Sequence, residues 1–237
     1  MAYTDKTIVG VCQRRINLKK FLKGFNIVIT SVLIGLLASV LVFTYSHEYY
    51  PVVGQSMNPT INTSGKDEHG VYVSVSQKGG FQDVVVAKSP TDKNKTVIKR
   101  ILGLEGDKLA FVEENGEVNL YRIPFGETEP VKVEENYISS KAGNSKHKTL
   151  LETNELSNKK FEYIYFKGNL QKFIIVGENQ VLLMGDNRGN STDSTDYGPV
   201  EVDNIIGKAV YLVNNNFLQI FEVILKIITF RGSNIWK

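Results

Sequence analysis

The stretch from Phe25 to Tyr45, FNIVITSVLIGLLASVLVFTY, contains no charged residue, and it constrains this chain more than any other feature. As a helix rising about 1.5 Å per residue it would span about 30 Å, the thickness of a bilayer's hydrocarbon. The run therefore predicts one membrane-crossing helix. Lys6, Arg14, Arg15, Lys19, Lys20 and Lys23 crowd before it against Asp5 alone, and Glu48 follows its far end. The positive-inside rule then predicts a cytoplasmic basic stub over 1–24, an anchor over 25–45 and an extracytoplasmic region over 46–237. Tyr45, Tyr49 and Tyr50 would lie at the outer interface. The competing reading is a removable secretory leader. Against it, the run is longer than a usual leader core, and no clear small-x-small cleavage site follows.

The formal net charge is +3, and the basic excess sits in the stub while the remainder is slightly acidic. Phosphate binding needs basic groups clustered on the folded region, so nucleic acid is not an expected partner. Cys12 is the only cysteine, so no intramolecular disulfide and no multi-thiolate zinc site can form. His47, His69 and His147 show no metal-ligand spacing. No metal and no cofactor is implied.

After the anchor, short β-rich runs alternate with turn signals, the pattern of a mainly β, antiparallel fold. Strands are expected at 71–76, 83–88, 96–102, 108–112, 118–122, 162–166, 172–176, 180–184 and 206–213. Asn115–Gly116, between LAFVEE and EVNLYR, predicts a two-residue hairpin turn. The stretch from about 125 to 160 is rich in Lys, Glu, Asn and Ser, which reads as a solvent-exposed insertion or long loops. Near the C-terminus, residues 217–230 (FLQIFEVILKIITF) form an amphipathic pattern too short to span. A helix packed on the core and one lying in the membrane surface are both open readings.

Three segments carry chemistry. The first holds Val53-Gly54-Gln55-Ser56-Met57-Asn58-Pro59-Thr60 just past the anchor, where a serine alone would be an ordinary turn residue. The second is Thr96–Asp107, in which β alternation puts Lys99 on the same side as Val97 and Ile101 and turns Arg100 the other way. A lysine facing an apolar surface is desolvated, which favours the neutral amine and lets it take a proton from a hydroxyl. A lone strand lysine more often snorkels to solvent. The third, Met184–Ser194, concentrates Asp186, Asn187, Arg188, Ser191, Asp193 and Ser194 directly after the apolar run VLLM. That density suits a buried polar network bracing a site better than a simple polar turn.

Together, and in this order behind an anchor, the segments resemble the bacterial type I signal peptidase (leader peptidase) family of the Gram-positive type. Its G-x-S-M-x-P-T pattern matches Gly54, Ser56, Met57, Pro59 and Thr60. Its lysine segment matches Lys99-Arg100 with Gly103, Gly106 and Asp107, and its G-D-N-R-x-x-S-x-D-S pattern is complete from Gly185 to Ser194. Gly80–Val86 is similar to the family's strand that holds an extended substrate. The resemblance covers about residues 25–210. It implies a membrane-bound serine–lysine dyad protease with a β-rich catalytic core and a smaller inserted β domain, here about 111–172. It implies Ser56 as nucleophile, Lys99 as general base and Ser191 as the hydroxyl orienting Lys99. Support would come from Arg100, Gly185, Asp186, Asn187, Arg188, Asp193 and Ser194. Substrate would meet Gly54, Met57, Val84, Val85, Val86 and Ile98. The expected partners are precursor proteins bearing signal peptides, cut after small residues, together with the lipid bilayer and a secretion translocon or pilus subunits. The expected location is the bacterial cell membrane, with the catalytic region outside.

Three positions depart from the family pattern. Gly54 stands where some members carry a serine hydroxyl, so Ser56 N–H would meet the oxyanion alone or with another donor. Glu105 replaces a proline, and Thr195 replaces an arginine that would pair with Asp193. A self-cleaving repressor-like serine–lysine protein would need a DNA-binding module, for which residues 1–24 are too short. A non-enzymatic pilus-assembly relative is expected to lack one member of the dyad, and this chain keeps both.

Overall fold

In the computed structural model the described residues are 3–64, 69–92, 94–138 and 160–214. One helix, α1 (Tyr3–Ser46), carries the apolar run. Its Asn17–Ser46 portion is long and apolar enough to cross a membrane. Helical geometry thus starts well upstream of the apolar run and includes much of the basic stub. The amphipathic 217–230 segment and residues 139–159 of the charged stretch lie outside the described residues.

The region after the helix is antiparallel β. A seven-stranded sheet is made of β1 (His47–Pro51), β2 (His69–Ser74), β3 (Val84–Lys88), β4 (Thr96–Gly103), β10 (Gln180–Met184), β11 (Val200–Glu201) and β12 (Ile205–Asn214). Its order is β1-β2-β12-β3-β4-β10-β11. Between β4 and β10 the chain builds a five-stranded sheet from β5 (Lys108–Glu114), β6 (Glu117–Ile123), β7 (Val131–Lys132), β8 (Lys160–Phe166) and β9 (Asn169–Ile175). Its order is β7-β6-β5-β9-β8. All nine expected strands are present, β10 with the expected ends and the other eight with shifted ones, and β1, β7 and β11 are added. Tyr49 and Tyr50 belong to β1, hydrogen-bonded to β2.

Local chemistry explains the joints. Asn115 and Gly116 take φ of 54° and 82°, the left-handed pair that a tight hairpin requires. Lys167–Gly168 makes the matching turn between β8 and β9. Between the sheets, buried Asp107 accepts from Leu104 N at 2.8 Å and Phe125 N at 3.0 Å, and it pairs with Arg122. Glu105, in place of the family's proline, accepts from Asn179 N at 2.9 Å and so ties this turn to the one before β10. Leu102, Leu182 and Met184 from the first sheet pack with Leu109, Phe111 and Ile174 of the second in one apolar cluster. A second cluster, containing Met57, Ile61, Val73, Val84, Val86 and Ile98, lies under the loop that follows β1.

Candidate active site

The serine loop is held from below. Met57 and Ile61 plug into the apolar cluster, while Asn62, fully buried, works as a clamp. Its amide nitrogen donates to Val52 O at 3.1 Å and Gly54 O at 3.0 Å, and its Oδ1 accepts from His69 N at 3.2 Å. Val52 N donates to His69 O at 3.0 Å, so the whole peptide frame of Val52 is turned inward. Gly54 has φ of 89°, a conformation that a side chain would strain, and it bends the chain just before Ser56.

Lys99 leaves β4 and meets that loop. Nζ lies 2.8 Å from Ser56 Oγ and 3.1 Å from Ile98 O, and the residue is 3% exposed. Strand carbonyls lie in the plane of the sheet, so an amine bonded to one sits at the strand's edge. That edge is open to the cleft because β10 pairs with β4 only between Arg100 and Gly103, while β3 covers the other side from Thr96 to Arg100.

The 185–194 turn closes behind the pair. Asn187 N donates to Ser56 O at 3.0 Å and Asn187 Nδ2 to Gln55 O at 3.0 Å, so the backbone on both sides of the Gln55–Ser56 bond is gripped. Gly185 is wedged between Ser56 O and the buried Ser191 side chain, and a Cβ there would overlap both. Asp193 accepts from Gly185 N at 3.0 Å and from Thr195 Oγ1 at 2.7 Å, and it caps the short helix α2 (Ser194–Tyr197). Thr195, where the family carries an arginine, therefore gives Asp193 a hydroxyl partner. Ser194 Oγ accepts from Leu183 N at 2.9 Å and locks α2 to β10.

Beneath this lies a buried charge network. Arg100 grips Asp186 through Nε at 2.9 Å and Nη2 at 2.6 Å, with both side chains 1% exposed. Asp186 also accepts from Thr60 Oγ1 at 2.5 Å, which links the serine loop to the turn. Arg100 donates to Gln82 O at 2.8 Å and lies over the Tyr137 ring. Arg188 pairs with Glu135 and donates to Gly185 O at 3.2 Å. Burial, reinforced by Glu135, pushes the Tyr137 hydroxyl far above the usual tyrosine range, so it stays a neutral donor to Glu135.

A cavity of about 410 Å³ runs from Ser56 and Lys99 between two walls, Tyr50–Val53 and Lys95–Lys99, with Val71 and Val86 on its floor. Of the six residues expected to meet substrate, Val86 and Ile98 line it. Met57 and Val84 lie in the core cluster beside it. Val85 is a correction: strand alternation turns it to the opposite face, among Ala87, Ile101 and Leu183. The reading of Gly80–Val86 as the substrate-holding strand also needs correcting. β3 is interior, paired with β4 on one side and β12 on the other, so neither edge can accept another chain. Tyr50 is a wall residue that sequence reading placed at the membrane interface. Burial and then Glu48, which accepts from it at 2.6 Å, push its hydroxyl up to about 12, so it remains protonated.

Sequence reasoning missed Asn62, Glu135 and Tyr137. For Asn62 the chain offers no signal, because most of its partners are backbone groups of other residues. For Glu135 and Tyr137 a signal exists: Val131, Val133, Glu135 and Tyr137 alternate as a strand would, with Val133 and Glu135 buried and Glu134 and Asn136 exposed. Thus part of the stretch read as a solvent-exposed insertion packs inward.

Comparison with known proteins gives a consistent picture. A family model described as signal peptidase, peptidase S26, matches residues 25–213. The chain is 26% identical over 221 residues to a signal peptidase I of Buchnera aphidicola, spanning 73% of this chain and 70% of that protein. It is 27% identical over 164 residues to signal peptidase IB of Staphylococcus aureus, spanning 68% and 75%. It is also 29% identical over 161 residues to a mitochondrial ATP-independent inner membrane protease subunit of Arabidopsis thaliana, spanning 68% and 66%.

Proposed function

This chain belongs to the signal peptidase, peptidase S26, family, and we propose that Ser56 is its nucleophile, Lys99 its general base and Ser191 the hydroxyl orienting Lys99. The protein is a membrane-associated serine endopeptidase that removes signal peptides from precursor proteins. The observation that carries the assignment is the 2.8 Å approach of a buried lysine amine to a serine oxygen at the end of a cleft.

The chemistry follows from where the amine sits. Removing a lysine from water penalises its charged form, so the neutral amine accepts the Ser56 proton as Oγ attacks the scissile carbonyl carbon. The oxyanion takes a hydrogen bond from Ser56 N–H. The ammonium then returns its proton to the leaving amine, the C–N bond breaks, and water repeats the sequence on the acyl-enzyme. An extended substrate lies between the Tyr50–Val53 and Lys95–Lys99 walls, pairing with the open edge of β4 by strand addition. Val86 and Ile98 leave room for small side chains next to the cut, and a larger one clashes. The basic residues between Lys6 and Lys23 set the N-terminus in the cytoplasm and the catalytic region outside.

Ser56→Ala and Lys99→Ala, made in the full chain, are each expected to abolish cleavage of a purified precursor while leaving the far-UV spectrum unchanged. N-terminal sequencing of the product defines the cut. Turnover by either variant would remove the dyad.

A further inference from the structure

A carboxylate with no part in the proton transfers lies buried behind the catalytic turn. Glu135 is 3% exposed and comes from the segment that follows β7 in the second sheet. Its Oε1 accepts from Tyr137 OH at 3.0 Å, and both of its oxygens face the Arg188 guanidinium. Arg188 in turn donates Nε to Gly185 O. Gly185 is the residue wedged against Ser56 O. The same segment reaches the serine by a second route, since the Tyr137 ring lies 3.8 Å from the Arg100 guanidinium, which holds Asp186, which holds Thr60. Its backbone is pinned by Val133 N to Leu120 O at 2.9 Å and by Gln82 Nε2 to Glu134 O at 2.8 Å.

Burying two carboxylates and two guanidiniums is a poor way to gain stability, because apolar side chains of the same volume do as well or better. What a hydrogen-bonded charge network supplies is direction: each bidentate contact fixes a plane as well as a distance. Here one route ends against the backbone of Ser56 and the other on the Thr60 hydroxyl of the same loop. We propose that Glu135, oriented by Tyr137, is a positioning residue for the Ser56–Lys99 pair, acting through Arg188 and Gly185. The second sheet then sets the rate of cleavage from outside the cleft. Because none of the three side chains lines the cavity, the effect falls on turnover and spares substrate binding. The inference rests on the dyad assignment.

The test uses the full chain in detergent micelles with a purified precursor. A Glu135→Leu/Arg188→Met double variant replaces the pair with apolar side chains and orphans no charge. Tyr137→Phe removes only the hydroxyl and keeps the ring under Arg100. The double variant is expected to melt near the wild-type temperature, with kcat lowered about 100-fold, the usual consequence of an ångström-scale misplacement, and KM unchanged. Tyr137→Phe is expected to lower kcat about 5-fold, the loss of one hydrogen bond, again at constant KM. Wild-type kcat in a folded double variant overturns the proposal, and so does a rise in KM at constant kcat. Should the double variant fail to fold, Tyr137→Phe decides: full kcat there overturns it. Ser56→Ala in the same assay keeps the two ideas apart. If Ser56→Ala still cleaves, the dyad assignment falls. If it is inactive while both other variants turn over normally, only the brace falls.

Discussion

Gly185→Ala adds one methyl group at the point where the 185–194 turn touches Ser56, the proposed nucleophile. A Cβ on Gly185 would stand 2.6 Å from Ser191 Cβ and closer still to Ser191 Oγ and Ser56 O. Non-bonded carbons rest about 3.5–4.0 Å apart, so relief demands a displacement of about 1 Å. None of the three obstacles gives way freely: the Ser191 side chain is buried, and Ser56 O is backbone held by Asn187 N. Part of the shift must therefore pass into the Ser56 peptide and out to Oγ. A misplacement of about 1 Å at a reacting atom costs about 100-fold in rate, which is about 2.7 kcal/mol in the barrier. Overpacking of this size costs about 1–3 kcal/mol in stability, so the variant stays folded. The assay is cleavage of a precursor under kcat and KM conditions, with thermal unfolding measured in parallel. A Gly185→Ala protein with wild-type kcat would show that the turn does not set the position of Ser56, and the wedge argument would be wrong.

Further outcomes follow from the same geometry. Cleavage should be lost as pH falls through the amine's titration, since only neutral Lys99 accepts a proton; the acid limb of kcat/KM should lie well below the range of free lysine, and a limb near pH 10 would mean a solvated amine. Lys99→Met should abolish cleavage in a protein that still unfolds cooperatively, because the thioether keeps the stem's packing but cannot take the Ser56 proton; cleavage by a folded Lys99→Met protein would count against that reading. Asp186→Asn leaves Arg100 buried without a carboxylate and should cost about 3–5 kcal/mol in chemical denaturation. Asn62→Ala strips the donors from Val52 O and Gly54 O and should cost about 2–3 kcal/mol, with activity falling further than stability.

Most of the site was legible because its chemistry is local in the chain. Ser56 with Gly54, Lys99 with Arg100, and Gly185 through Ser194 each announce themselves within ten residues, and the structure brings all three together. Strands were legible for the same reason, since alternation and the Asn115–Gly116 turn are short-range signals. What escaped depends on pairing between distant segments. Nothing near Glu135 says that Arg188 will face it, so a polar stretch read as exposed packs inward beneath the turn. Nothing near Val84 says that β12 returns to cover one edge of β3 while β4 covers the other, so the interior position of β3 was not legible. The face of Val85 followed from register, which a single sequence does not state.

The half-covered edge of β4 has a consequence for timing. If the substrate pairs there as proposed, the slot admits a polypeptide only where it is locally unravelled, and a bond inside a finished helix or sheet never reaches Ser56. Selection is then made on shape before composition. Extended segments then qualify, while folded domains joined to them are left whole, whatever small residues they carry on their surfaces.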